Sequence, residues 1–344
     1  MRRRGGSNAW RAIGWGIAAA GMAGAALVGD RIRKVRRVPA ELRSPLAYVP
    51  IPFNSATVRR LRSGVEGRTA PSRADVSTRA EVIPGLDGAP DLEVLLAERP
   101  DRPVGSPALL WIHGGGYVIG NAAMATAGCE QFAHDLNALV VSVDHRLAPE
   151  NPFPAGLDDC FAALVWLLSH ADDLGIDPAR LAIGGDSAGG GPAAALAQRA
   201  FDADIPLALQ LLRYPMLDDR TCLHKPRKGV GELTWTPAFN RFGWASYLGH
   251  PPGAAAAAPY AVPARRTNLT GLAPAWIGVG TADLFHDEDV AYAERLRRAG
   301  VPVTLEIVEG LYHAADVAAP DAPQSRRFYA SQRDALRAAL GVGV

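Results

Sequence analysis

The stretch LAIGGDSAGGG, residues 181–191, sets one serine among five glycines, with an aliphatic run before them and an alanine-rich run after. A glycine-rich loop between a strand and a helix can cradle a phosphate, shape a passive turn or present a nucleophile. A phosphate loop of the G-x-x-x-x-G-K-[ST] type needs a lysine after Gly189, where this chain has Gly190. A dinucleotide loop needs G-x-G-x-x-G, which neither this stretch nor the one starting at Gly114 supplies. The stretch does match G-x-S-x-G as Gly185-Asp186-Ser187-Ala188-Gly189, between a strand-like run and a helix-like one. Such a serine sits on a strained turn and points its hydroxyl away from the strand's end. Gly185 and Gly189 leave room where strand and helix nearly touch.

A serine hydroxyl is a weak nucleophile without a base, and an acyl transition state needs donors for its oxyanion. The run LLWIHGGGYVIG offers such donors directly after a strand: consecutive glycines aim backbone N–H groups without side-chain obstruction. The N–H groups of Gly114 and Gly115, with that of Ala188, are the expected three. His113 and Gly116 support the loop, as Asp186 supports the serine turn, and His113 braces it rather than moving protons. Downstream of Ser187, His313 in VEGLYHAAD follows a strand directly, whereas His224 and His250 lie in a segment that breaks the alternation of elements. Asp283 follows the run AWIGVG after two residues. Asp287 and Glu288 open the next helix, where acids complement the dipole. The order Ser187, Asp283, His313 is that of a serine hydrolase on an open parallel sheet.

Together HGGGYVIG, VDHRLAPENPFPAGLDD, GGDSAGGG, GTADLFHDE and EGLYHAAD resemble the hormone-sensitive-lipase-like family of α/β-hydrolase esterases, over about residue 90 to the C-terminus. The resemblance implies a catalytic Ser187, Asp283 and His313, hydrolysis of a small-molecule carboxylic ester without cofactor or metal, and a cap built from the N-terminal part and the insertion after RYPMLD. It includes both bacterial carboxylesterases and membrane-anchored arylacetamide deacetylases. This chain departs from the family pattern at Leu284 and His286, where Pro and Arg are usual, and in lacking Gly-Phe after His313. An amidase or deacetylase would use the same triad, and a non-catalytic ligand-binding protein would share the fold.

The elements that must position these residues are legible as short apolar runs at 92–97, 108–114, 138–144, 181–186, 207–215, 275–280 and 303–309. Helix candidates fall at 122–136, 155–171, 188–202, 288–299 and 322–339. In the fourth of these, Val290, Ala293, Leu296 and Ala299 share a face. Apolar strands alternating with helices predict an α/β fold, a mostly parallel sheet covered on both faces. The expected organisation is a basic-apolar segment 1–38, a linker and first cap part 39–79, and a catalytic domain 80–344 with an aromatic insertion at about 218–262.

With 36 basic and 35 acidic residues the chain carries no field to attract nucleic acid. Three separated cysteines suggest buried thiols rather than a disulfide or zinc framework. Residues 12–29 are uncharged and flanked by arginines on both sides. They read as an anchor, a cleaved signal, an interfacial helix or a plain extension. Membrane or cell-envelope association is the expectation, with the cytoplasm as the alternative.

Overall fold

A computed structural model describes residues 27–48, 58, 60, 62 and 73–343. Most of the 12–29 segment and much of 39–79 therefore lie outside the described residues. The chain enters through helix α1 (27–36) and two short 3-10 turns, Ala40–Leu42 and Pro45–Tyr48.

The strands β1 (Ser77–Ile83), β2 (Leu92–Glu98), β3 (Ser106–Ile112), β4 (Leu139–Val143), β5 (Ile176–Asp186), β6 (Leu209–Arg213), β7 (Ala275–Gly280) and β8 (Val303–Val308) form one sheet. Its order is β1-β2-β4-β3-β5-β6-β7-β8. β1 pairs antiparallel with β2, and β2 with β4, while every later pairing is parallel. The central strands β3, β4 and β7 are buried at every position, because helices cover both faces and leave no polar side to alternate with. The helices after α1 are α2 (Thr126–Leu136), α3 (Ala155–Ser169), α4 (Gly190–Asp202), α5 (Pro237–Leu248), α6 (His286–Arg298), α7 (Ala315–Ala318) and α8 (Pro323–Ala339), of which α5 packs in a separate aromatic cluster and the short α7 against α8.

Two elements escape the hydrophobic pattern. β1, STRAEVI, is exposed or half-exposed except at Ile83, so an edge strand carries no apolar alternation to read. α5 lies inside 218–262, where aromatic residues obscure a helical stripe; Thr236 and Pro237 start it and Gly249, at φ 73°, ends it. On α6 the buried residues are Glu288, Asp289, Tyr292, Ala293 and Leu296, with Val290 and Ala299 at the margins, because Tyr292 turns inward to meet Gln198.

The segment between β6 and β7 is pinned at its neck. Buried Asp219 accepts from the Arg265 guanidinium at 2.8–2.9 Å and from the Gly253 N–H at 2.6 Å. Glu288, on α6, accepts from the N–H groups of Leu217 at 2.7 Å and Asp218 at 3.1 Å, and from the Thr221 hydroxyl. It thus binds the neck instead of complementing its own helix dipole. Burial raises its carboxyl to about 8, with the Thr221 and Leu217 bonds opposing that rise. All three cysteines are buried free thiols.

Candidate active site

The carboxyl ends of the parallel strands bring the separated residues together, as open α/β sheets do. β5 ends at Asp186 and α4 begins at Gly190, leaving Ser187 on the turn at φ 55°. A non-glycine residue there is strained, and its surroundings hold it. Its N–H donates to the Arg213 carbonyl at 2.9 Å, and its carbonyl accepts from Gly190 at 3.0 Å and Met216 at 2.9 Å. Backbone crowds the flanking glycines: a Cβ on Gly185 would lie 2.5 Å from the Gly189 oxygen, and one on Gly189 2.2 Å from the Ile112 oxygen.

Ser187 Oγ lies 2.8 Å from His313 Nε2, and His313 Nδ1 lies 2.8 Å from Asp283 Oδ2. Asp283 is fully buried, and its other oxygen accepts the Phe285 N–H at 3.0 Å. With an ionised Asp283, Nδ1 carries the proton and Nε2 faces the serine as acceptor. Tyr214 and Phe285 meet the imidazole edge-on at 4.8 and 5.2 Å, and Trp235 lies 6.0 Å away. The arrangement can take a proton from Oγ, stabilise the resulting imidazolium and exclude bulk water around it.

The loop after β3 turns tightly: Gly115 has φ 129° and Gly116 φ 64°. A Cβ on Gly115 would strike the Ile119 carbonyl at 1.9 Å, and one on Gly116 the Trp235 ring at 2.2 Å. His113 is buried, its Nδ1 donates to the Gly114 carbonyl at 2.8 Å, and its ring stacks on His145 at 4.3 Å. Burial, and then His145, lower its pKa to about 3, so it is a neutral prop.

Gly114 packs directly against Asp186: a Cβ there would lie 2.8 Å from both the carbonyl oxygen and a carboxylate oxygen of Asp186. Burial raises the Asp186 pKa and Asp316 adds to the rise, while Arg213, then His313 and the Gly114 backbone, oppose it. Among the described residues, the N–H groups of Gly114, Gly115, Gly116 and Ala188 donate to no backbone carbonyl. Two residues that sequence reasoning did not single out also lie here: Arg213, at the end of β6, and Asp316, three positions past His313.

A profile of the alpha/beta hydrolase fold matches residues 109–316. The chain belongs to the hormone-sensitive-lipase-like family of α/β-hydrolase esterases, the carboxylic ester hydrolases. It is 34% identical to carboxylesterase NlhH of Mycobacterium tuberculosis over 86% of this chain and 96% of that one. With esterase LipI of the same species the identity is 37%, over 69% of this chain and 79% of the relative. The solved structure of a bacterial heroin esterase superposes with a TM-score of 0.80 at 36% identity, covering 88% of this chain and 98% of the other.

Proposed function

We propose that this chain hydrolyses short- to medium-chain carboxylic esters through Ser187, His313 and Asp283. The continuous Ser187–His313–Asp283 hydrogen-bond chain, 2.8 Å at each link, carries this reading. Ser187 Oγ attacks the ester carbonyl as His313 Nε2 takes its proton, and Asp283 holds the imidazole tautomer and its developing charge. The oxyanion is received by Ala188 and the glycine loop, where the N–H groups of Gly114, Gly115 and Gly116 are all left without backbone acceptors among the described residues. His313 then protonates the leaving alcohol, and water repeats the sequence on the acyl-enzyme. Residues 218–262 cover the site. Trp235 over Gly116, with Tyr117, Trp244 and Phe285 in one apolar cluster with Ala188, supports an apolar acyl pocket of limited depth.

A fluorophosphonate should label the protein, with peptide mass spectrometry placing the adduct on Ser187. On a p-nitrophenyl series from acetate to palmitate, kcat/KM should peak at eight carbons or fewer. An unlabelled Ser187 overturns the nucleophile, and a maximum at palmitate overturns the chain-length assignment.

The N-terminal segment 12–29 docks on an anionic membrane surface. Among the described residues no helix is long and apolar enough to cross a membrane. Supporting the docking, a cleft of about 670 Å³ between α1 and 222–241 is lined by Lys34, Lys225, Arg227, Lys228 and Arg241, against Glu232 as its one acid. Exposed Leu27 and Val28 open α1. Each basic residue near such a surface contributes about 1 kcal/mol, screened by salt. Full-length protein should co-sediment with phosphatidylglycerol-containing vesicles at low salt, and a Lys225→Glu/Lys228→Glu variant should bind several-fold less. Equal partition onto neutral phosphatidylcholine vesicles would refute the electrostatic docking.

A further inference from the structure

Arg213 ends β6 within a strand that is otherwise almost wholly buried and apolar. Its guanidinium is itself largely buried, and it is placed between two carboxylates. Nη2 lies 3.7 Å from Asp186 Oδ2, and Nη1 lies 3.4 Å from Asp316 Oδ2. The rings of Trp111 and Tyr214 each stand 5.5 Å from it. Asp186 precedes Ser187 and packs against Gly114 of the glycine loop. Asp316 lies in α7, which follows His313 directly. The Arg213 carbonyl accepts the Ser187 N–H. One side chain therefore joins the serine turn, the glycine loop and the histidine loop.

The energetics are one-sided. Two carboxylates at low exposure are tolerable with a guanidinium between them, and they repel once it is gone. The repulsion would act along the line that separates the serine turn from the histidine loop, and so on the 2.8 Å contact between Ser187 Oγ and His313 Nε2.

We infer that Arg213 is a positioning residue that holds the histidine loop at proton-transfer distance from Ser187, through Asp316 on one side and Asp186 on the other. This rests on reading Ser187 and His313 as nucleophile and base. The charged and titratable groups around His313 are Asp283 at Nδ1, Ser187 at Nε2, Tyr214 at its edge, and Asp186, Arg213 and Asp316 behind. Arg31 sits beyond Tyr312. Phe285 and Trp235, from the remaining packed segments, are uncharged.

The test is steady-state kinetics across pH on Arg213→Met, Arg213→Lys, Asp316→Asn and the double variant Arg213→Met/Asp316→Asn, with fluorophosphonate labelling alongside. Arg213→Met should lower kcat by about 10- to 100-fold with KM within about twofold, since ground-state contacts with substrate are untouched. It leaves an uncompensated negative charge near His313, so the acidic limb of kcat/KM should move up by roughly half to one pH unit. Asp316→Asn removes a negative charge, so its limb should move down. The double variant should lie between the two and recover part of kcat, a non-additivity expected of one network. Arg213→Lys, which keeps the charge, should hold the limb at its wild-type position.

Opposite limb shifts are the signature that a merely structural arginine would not give. Wild-type kcat with an unmoved limb in Arg213→Met overturns the inference. If that variant does not fold, an unmoved limb in Asp316→Asn overturns it instead. Failure of the underlying site reading is distinguishable, because wild-type Ser187 would then take no label.

Discussion

Replacing Ser187 by alanine should reduce kcat on p-nitrophenyl esters by about 10⁴- to 10⁶-fold, with KM little changed. The substitution removes a single oxygen from a buried turn and adds no atoms, so the fold has nothing to clash with. The Ser187–His313 bond is lost, but the His313–Asp283 bond and the backbone anchors at Arg213 and Gly190 remain. What survives is the contribution of the oxyanion donors and of substrate binding, which in triad enzymes leaves some rate above water. Circular dichroism and the melting midpoint should match wild type within a few degrees. Turnover within tenfold of wild type in a folded protein would rule out Ser187 as the nucleophile.

The second large effect is expected at Gly189, which has no polar side chain and makes no contact with substrate in the scheme. An alanine there would set its Cβ 2.2 Å from the Ile112 carbonyl oxygen and 2.5 Å from that of His113. Both are backbone atoms at the end of a central strand, so no rotamer change relieves the contact. Strand β3 and the start of α4 must separate, and the glycine loop after β3 moves with them. Overpacking of this kind costs typically 1–3 kcal/mol, and more where backbone must shift. Gly189→Ala should melt lower by several degrees and lose at least tenfold in kcat even in the folded fraction, because Gly115 and Gly116 no longer sit opposite Ala188. Gly128→Ala is the control. Space around that residue is open, in an α2 position where alanine is favoured. Equal melting points for Gly189→Ala and wild type would contradict the close approach.

Much of this architecture could be read in advance because its signals are local. The apolar strands between turn residues mark a covered parallel sheet, and each predicted strand overlaps an observed one. Asp283 could be singled out by its distance from the end of β7, and His313 by following β8 directly, since chain ends of parallel strands meet on one side of the sheet. What escaped was set by long-range contacts. β1 is held by pairing along β2 and contributes little to the core, so its sequence is free to be polar. Glu288 looked like a residue for its own helix start, yet its partners are some 70 residues earlier in the chain. Arg213 did leave a trace, a charge at the end of an apolar strand, but its meaning depends on Asp316, which lies on another loop.

The pinned neck of the β6–β7 segment bears on how substrate gains entry. Asp219 with Arg265 ties the two ends of that excursion to each other, while Glu288 holds its start through Leu217, Asp218 and Thr221, and the Arg295 guanidinium holds its end through the Ala264 and Arg266 carbonyls. Lifting the whole segment would strip a buried carboxyl of its donors and a guanidinium of its acceptors at once, a cost no exposed loop contact repays. The low-energy hinge therefore falls inside the excursion, beyond Thr221 and before Arg265, and it is α5, with Trp244 and the preceding Trp235, that would swing. Such a door would open by bending near its tip while its frame stays fixed, leaving the serine turn and the acid helix undisturbed as substrate passes.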